Sequence, residues 1–167
     1  MTHNYDKVQE LLLANFDSER RYYNAAEDSQ IVPITRFLNH QSVKRNQYAS
    51  EIVECLALYD IEPSKSWVNK GNLHRNGLEV KEMLEDHNTI VIIQQCLEKD
   101  KAALDIYRQV LDENILPMDI LEPLSRHSRE IIFSNLEAKE IIEELKTEAR
   151  KNDTTPIIKM KKRYGNG

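Results

Sequence analysis

The sequence predicts an all-α protein: an up-and-down four-helix bundle with a longer connection between helices two and three. Two observations carry this. Apolar residues recur every three or four positions through four long stretches, the spacing that gathers them on one face of an α-helix. Only four glycines and five prolines occur in 167 residues, too few for the many tight turns of an all-β protein. A hydrophobic content of 40% beside 31% charged residues places the chain among globular domains rather than disordered segments, with about one domain's worth of core.

The first stretch runs from about Tyr5 to Asp28, with Val8, Leu12, Phe16, Tyr23 and Ala26 on its predicted inner face. "DSQIVP" breaks it, and Pro33 suits the first turn of the next helix. Helix two then extends to about Tyr59 with Ile34, Leu38, Tyr48, Ile52, Cys55 and Tyr59 inward. Gln41 and Arg45 interrupt that stripe, so its middle is polar. "DIEPSKSWVNKGN" follows, a connection able to carry the chain across one end of a bundle. Helix three begins near Leu73, with "DHN" (86–88) as a break before a second stretch to about Glu113. "TIVIIQQ" is strand-like in composition but runs straight into the helical pattern, so it reads as helix. "NILPM" turns the chain into helix four, about Asp119 to Lys151, with Leu124, Ile131, Ala138, Ile142 and Leu145 inside. Residues 1–149 thus form the bundle and 150–167 a basic, solvated tail.

Charge is unevenly spread. The formal net charge is −5, but Arg150, Lys151, Lys159, Lys161, Lys162 and Arg163 lie in the tail against Asp153, which leaves about −10 on the rest. So acidic a body argues against a nucleic-acid-binding surface. No apolar run approaches 18 residues, and the polar N-terminus has no signal-peptide pattern, so no membrane insertion and a cytoplasmic location are expected. Cys55 and Cys96 fall on apolar helix faces without metal-ligand spacing, which predicts two buried free thiols.

The residues with chemical interest are polar ones set into apolar stripes. Ile93, Cys96, Asp100, Ala103, Tyr107 and Val110 share one helical face, and Asp100 is the member that does not suit a core. Glu19 lies on the first helix's stripe and His127 on the fourth's, with Glu130 three residues on. Glu51 and Glu54 form an i,i+3 carboxylate pair at the edge of helix two. Glu19, Glu51, Glu54, Asp100, His127 and Glu130 are therefore the candidate ligands of an iron or manganese pair, since carboxylates and imidazoles balance two divalent ions in a bundle core. Such sites use Glu-x-x-His, which this chain lacks; helix four has the reverse order, "HSRE". The competing expectation is a network of interhelical ion pairs, with Asp17 near Lys44 and Arg45, Glu19 near Ser42, and Asp100 near His127 and Arg129. The ion-pair reading is preferred, with no cofactor. Without a Gly-rich phosphate loop, a nucleophile elbow or a Cys-His pairing, the chain leans away from being an enzyme. Trp67 reads as a cover over one bundle end, and His74 and Arg75 as structural.

Several segments together resemble a known family. "DSERRYYNAAED" (17–28), "RNQYASEI" (45–52), "GNLHR" (71–75) with Lys81, "AALDIYRQVL" (102–111) and "LP" (116–117) are similar, in order and spacing, to the bacterial ferritin-like domain of unknown function found in small, often stress-associated proteins. The resemblance covers about residues 5–145 and implies a ferritin-like four-helix bundle without an established activity. Asp17, Glu19, Arg45, Glu51, His74, Arg75 and Tyr107 stand where that family has the same or similar types. Three departures stand out: "ERRYY" replaces a small residue, Gly77 an aromatic, and Asp100 a longer Glu. The resulting expectation is a non-catalytic structural or interaction module, possible as a homodimer, with a divergent di-metal protein as the alternative.

Overall fold

The computed structural model describes residues 2–64 and 88–154. A 3-10 turn, Thr2–Tyr5, leads into α1 (Asp6–Asp28); α2 spans Val32–Ala57, α3 Thr89–Glu113 and α4 Met118–Thr154. Among the described residues all regular structure is helical, and the four helices pack as a bundle, as expected. The first half expected of helix three, together with Trp67, His74 and Arg75, lies outside the described residues.

Local chemistry sets the boundaries. Pro33 occupies the first turn of α2, where its missing N–H costs nothing. Asn88 caps α3: its Oδ1 accepts from the amides of Ile90 (3.0 Å) and Val91 (3.3 Å), groups no preceding turn can satisfy. Asn114 ends α3 in the left-handed conformation, at φ 51°, and its amide donates to the Val110 carbonyl. Pro123 lies inside α4 and cannot donate to the Asp119 carbonyl one turn back. The Cys55 thiol, 3.7 Å away on α2, donates to that carbonyl instead.

Cross-helix contacts fix the directions. Asn15 meets Tyr107 and Ser18 meets Asp100, so α1 and α3 are antiparallel. Tyr48 meets Glu130 and Tyr59 meets Asp119, so α2 and α4 are antiparallel as well. With α1–α2 and α3–α4 forming the other two neighbouring pairs, α2 and α3 run the same way on a diagonal. The described residues that flank the connection, Ser64 and Asn88, therefore stand toward opposite ends of the bundle, where a strict up-and-down order would place them at one end.

Two apolar clusters fill the interior. One gathers Val8, Leu12, Ile52, Leu56, Val110, Ile120 and Leu124; the other gathers Ala25, Leu38, Ile93, Cys96, Ala138 and Ile142 near the opposite end. The α3 and α4 faces read from sequence are correct, save that Leu145 is only half-buried. On α1 the inner face is rotated: Tyr22 is buried and Tyr23 exposed, with Asn15 and Ser18 inside where the apolar pattern selected Phe16 and Glu19. Tyr59 is likewise exposed, beyond the end of α2. The folded helix turns Asn15, Ser18 and Tyr22 toward polar groups on α3, a preference that the spacing of apolar residues does not register.

Candidate functional site

Between the two apolar clusters lies a polar layer to which all four helices contribute. Its centre is Asp100, with no exposed surface, facing Arg45 at 1%. Arg45 Nη2 donates to Asp100 Oδ2 at 2.9 Å. The Tyr22 hydroxyl donates to the same oxygen at 2.6 Å, and Ser18 Oγ donates to Oδ1 at 3.3 Å. Arg45 also donates from Nη1 to Gln41 Oε1 (3.1 Å) and from Nη2 to Ser134 Oγ (3.4 Å). Its guanidinium lies over the rings of Tyr22 and Tyr48, 5.1 and 5.7 Å from their centroids. Burial opposes the Arg45 charge most strongly, but Asp100, through its charge and hydrogen bond, acts with Tyr22 and Tyr48 to leave the pKa raised and the guanidinium protonated. Burial, reinforced by Asp100, pushes the Tyr22 phenol well above its ordinary range, so Tyr22 remains a donor. Sequence spacing thus identified a buried acid that needs a cation. The cation is Arg45 across the bundle diagonal, in place of His127 or Arg129.

A second polar chain starts one level away. Asn15 Nδ2 donates to the Tyr107 hydroxyl at 2.9 Å, and that hydroxyl lies 3.1 Å from His127 Nδ1. With Asn15 as donor, the phenolic proton points to Nδ1, which assigns the neutral imidazole its own proton at Nε2. The His127 ring is fully buried and stacked on Tyr48 at a centroid distance of 4.3 Å. Burial lowers its pKa to about 4, against the opposing pull of Glu51. Nε2 lies 3.4 Å from Glu51 Oε1 and has no hydrogen-bond partner among the described residues. Glu51 is ion-paired with Arg126, which also approaches Glu130 at 3.8 Å. Glu130 accepts from the Tyr48 hydroxyl at 2.7 Å and faces Lys44 at 3.5 Å. Burial would raise the Glu130 pKa, yet the Tyr48 hydrogen bond with Lys44 and Arg126 leaves it lowered.

The six sequence candidates therefore divide. Glu51, His127 and Glu130 come together around Arg126, while Asp100 is engaged by Arg45 and Tyr22 in the neighbouring layer. The Glu19 carboxylate accepts from Asn46 at 3.2 Å on the surface, and its carbonyl accepts from Ser42. Glu54 is exposed. Among the described residues no group of three or more His, Cys, Asp and Glu side chains is placed to hold a metal ion. In this arrangement cations and phenols engage Asp100, Glu51 and Glu130. Cys55 and Cys96 are buried and unpaired, as the sequence predicts, and burial raises both thiol pKa values. Sequence reading missed Asn15, Ser18 and Ser134; the interruption of the α2 stripe by Gln41 and Arg45 was the available signal for the layer they complete.

Residues 4–113 match the family described as a domain of unknown function, DUF2383. The chain belongs to this family. In DUF2383 terms, the matched span takes in α1, α2 and α3 with Arg45 and Asp100, and stops where α3 does; α4, which supplies His127, Glu130 and Ser134, lies beyond it. No curated protein and no solved structure matches the chain. Among the described residues no helix is long and apolar enough to cross a membrane.

Proposed function

We propose that this DUF2383 chain is a non-catalytic helical-bundle module with a structural or protein-interaction role in the cytoplasm, in the stress-associated setting its family resemblance implies. The observation that carries this reading is the closure of Asp100 by Arg45, Tyr22 and Ser18. In that arrangement the one fully buried carboxylate among the described residues orders helices instead of presenting a reactive or ligand-accepting oxygen. The parallel, diagonal placement of α2 and α3 supports a ferritin-like topology, which uses one crossover between such helices. Ile132, Phe133 and Leu136 on α4, 50%, 72% and 55% exposed, supply an apolar strip suited to homodimer contact.

The deciding experiment is metal analysis of protein purified without chelator, followed by anaerobic Fe(II) and Mn(II) titration. The expected result is essentially no bound metal and no rise in melting temperature on addition. The alternative, a divergent iron- or manganese-binding protein, draws on the buried Nε2 of His127 beside Glu51, which has no hydrogen-bond partner among the described residues. Near two metals per chain, lost in Glu51→Gln or His127→Gln, would replace the first reading. Sedimentation at rising concentration tests the homodimer, with Phe133→Ser expected to leave monomers.

A further inference from the structure

The seam between α2 and α4 opens toward the end of the bundle that holds the α1–α2 turn. A groove of about 760 Å³ lies there, its apolar walls formed by Ile31, Ile34 and Phe37 on one side and Ile141 and Leu145 on the other. Glu137, Glu143, Glu144 and Glu148 border it, and among the described residues no Lys or Arg lines it. Glu143 is partly compensated by Lys146 at 3.9 Å. An apolar trough with an acidic rim suits an extended segment in which apolar and cationic residues alternate.

The chain itself carries such a segment. After Thr154 the sequence reads TPIIKMKKRYGNG, in which Ile158 and Met160 alternate with Lys159 and Lys161, followed by Lys162 and Arg163. Pro156 stands two positions past the last residue of α4, and proline has no N–H with which to continue a helix. Reach is sufficient. From Thr154 back to Glu137 is about 25 Å of helix at ~1.5 Å per residue. Residues 155–167, extended, span up to about 43 Å at ~3.3 Å per residue, enough to reverse and run the groove's length.

We propose that the C-terminal segment, residues 155–167, docks in cis in this groove, placing Ile158 and Met160 on the apolar floor and Lys159, Lys161, Lys162 and Arg163 against the four glutamates. The free, solvated tail expected from composition makes the opposite prediction, so one experiment separates them. The full chain is digested with trypsin at low ionic strength, and cleavage after Lys159, Lys161, Lys162 and Arg163 is timed by mass spectrometry. The comparison is a Glu137→Gln, Glu144→Gln, Glu148→Gln variant, whose substitutions change charge but not the core, with circular dichroism confirming its fold. Docking slows cleavage of the wild-type tail at least ~10-fold relative to the variant, because proteolysis follows the undocked population. High salt should remove most of that difference. Equal rates in the two proteins would overturn the proposal. So would protection that grows with protein concentration, since it would mean that the groove takes the tail of a second copy.

Discussion

Removing the Asp100 carboxylate leaves Arg45 charged and dry. The guanidinium keeps Gln41 and Ser134 as neutral acceptors, and its Nε has no hydrogen-bond partner among the described residues. Asp100→Asn should therefore lower stability by about 3–5 kcal/mol, the scale for stranding one member of a buried pair. The measurement is the urea midpoint of the full chain, with Asp100→Leu combined with Arg45→Met as its partner variant. That double change removes both charges and should recover most of the loss, because desolvation no longer has to be offset. A loss below about 1 kcal/mol in Asp100→Asn would mean that water reaches Arg45. Sequence periodicity was sufficient to place Asp100 inside. It was not sufficient to choose its partner, because opposition along a hairpin considers only helices joined by a short turn, and Arg45 comes from a helix separated by the long connection.

At the level of elements, helix ends and breaks are settled by single hydrogen bonds. Asn88→Ala removes the acceptor for the Ile90 and Val91 amides, and should cost about 1 kcal/mol in denaturant stability. The Pro123 break has a tertiary solution: Cys55 supplies the donor that the proline ring cannot. Cys55→Val fills similar space without a donor and should cost about 1–2 kcal/mol, whereas Cys55→Ser keeps the hydrogen bond and should lose less. Equal losses for Val and Ser would show that the Asp119 carbonyl does not depend on the thiol. Pro33, the Asn114 turn and the faces of α3 and α4 were legible because each follows from local chemistry. The α1 face was not: choosing Tyr22 over Tyr23 depends on Asp100, 78 residues away along the chain.

For the whole molecule, burial of a neutral histidine makes stability depend on pH. In the unfolded chain His127 takes a proton near its ordinary value of 6.5; in the folded chain it does so only at about 4. Between those values the unfolded state binds more protons, so stability is full above pH 6.5 and falls as pH drops toward 4. The loss approaches about 3 kcal/mol, at ~1.4 kcal/mol per pKa unit. The lowered pKa of Glu130 adds to acid sensitivity in the same direction, since its contribution is present above the unfolded value and lost as pH falls through the folded one. Chemical denaturation at stepped pH should show the slope, and His127→Gln should flatten it; an unchanged slope would place the acid sensitivity elsewhere. The buried thiols give a second global readout. Cys55 and Cys96 should react with a thiol reagent no faster than the bundle opens, and rapid labelling of both in native protein would contradict their burial.

The sequence by itself determined the all-α class, the four amphipathic stretches, the buried free cysteines and the presence of an acid in the α3 seam. Each rests on short-range periodicity or composition, which the chain states directly. Tertiary structure alone decided that α2 and α3 run the same way and that Arg45 closes on Asp100. It also decided that His127 turns from Asp100 to Tyr107 and Glu51. Those outcomes depend on which helices become neighbours, and a buried charge selects among the available partners by distance and desolvation, quantities that exist only once the chain is folded.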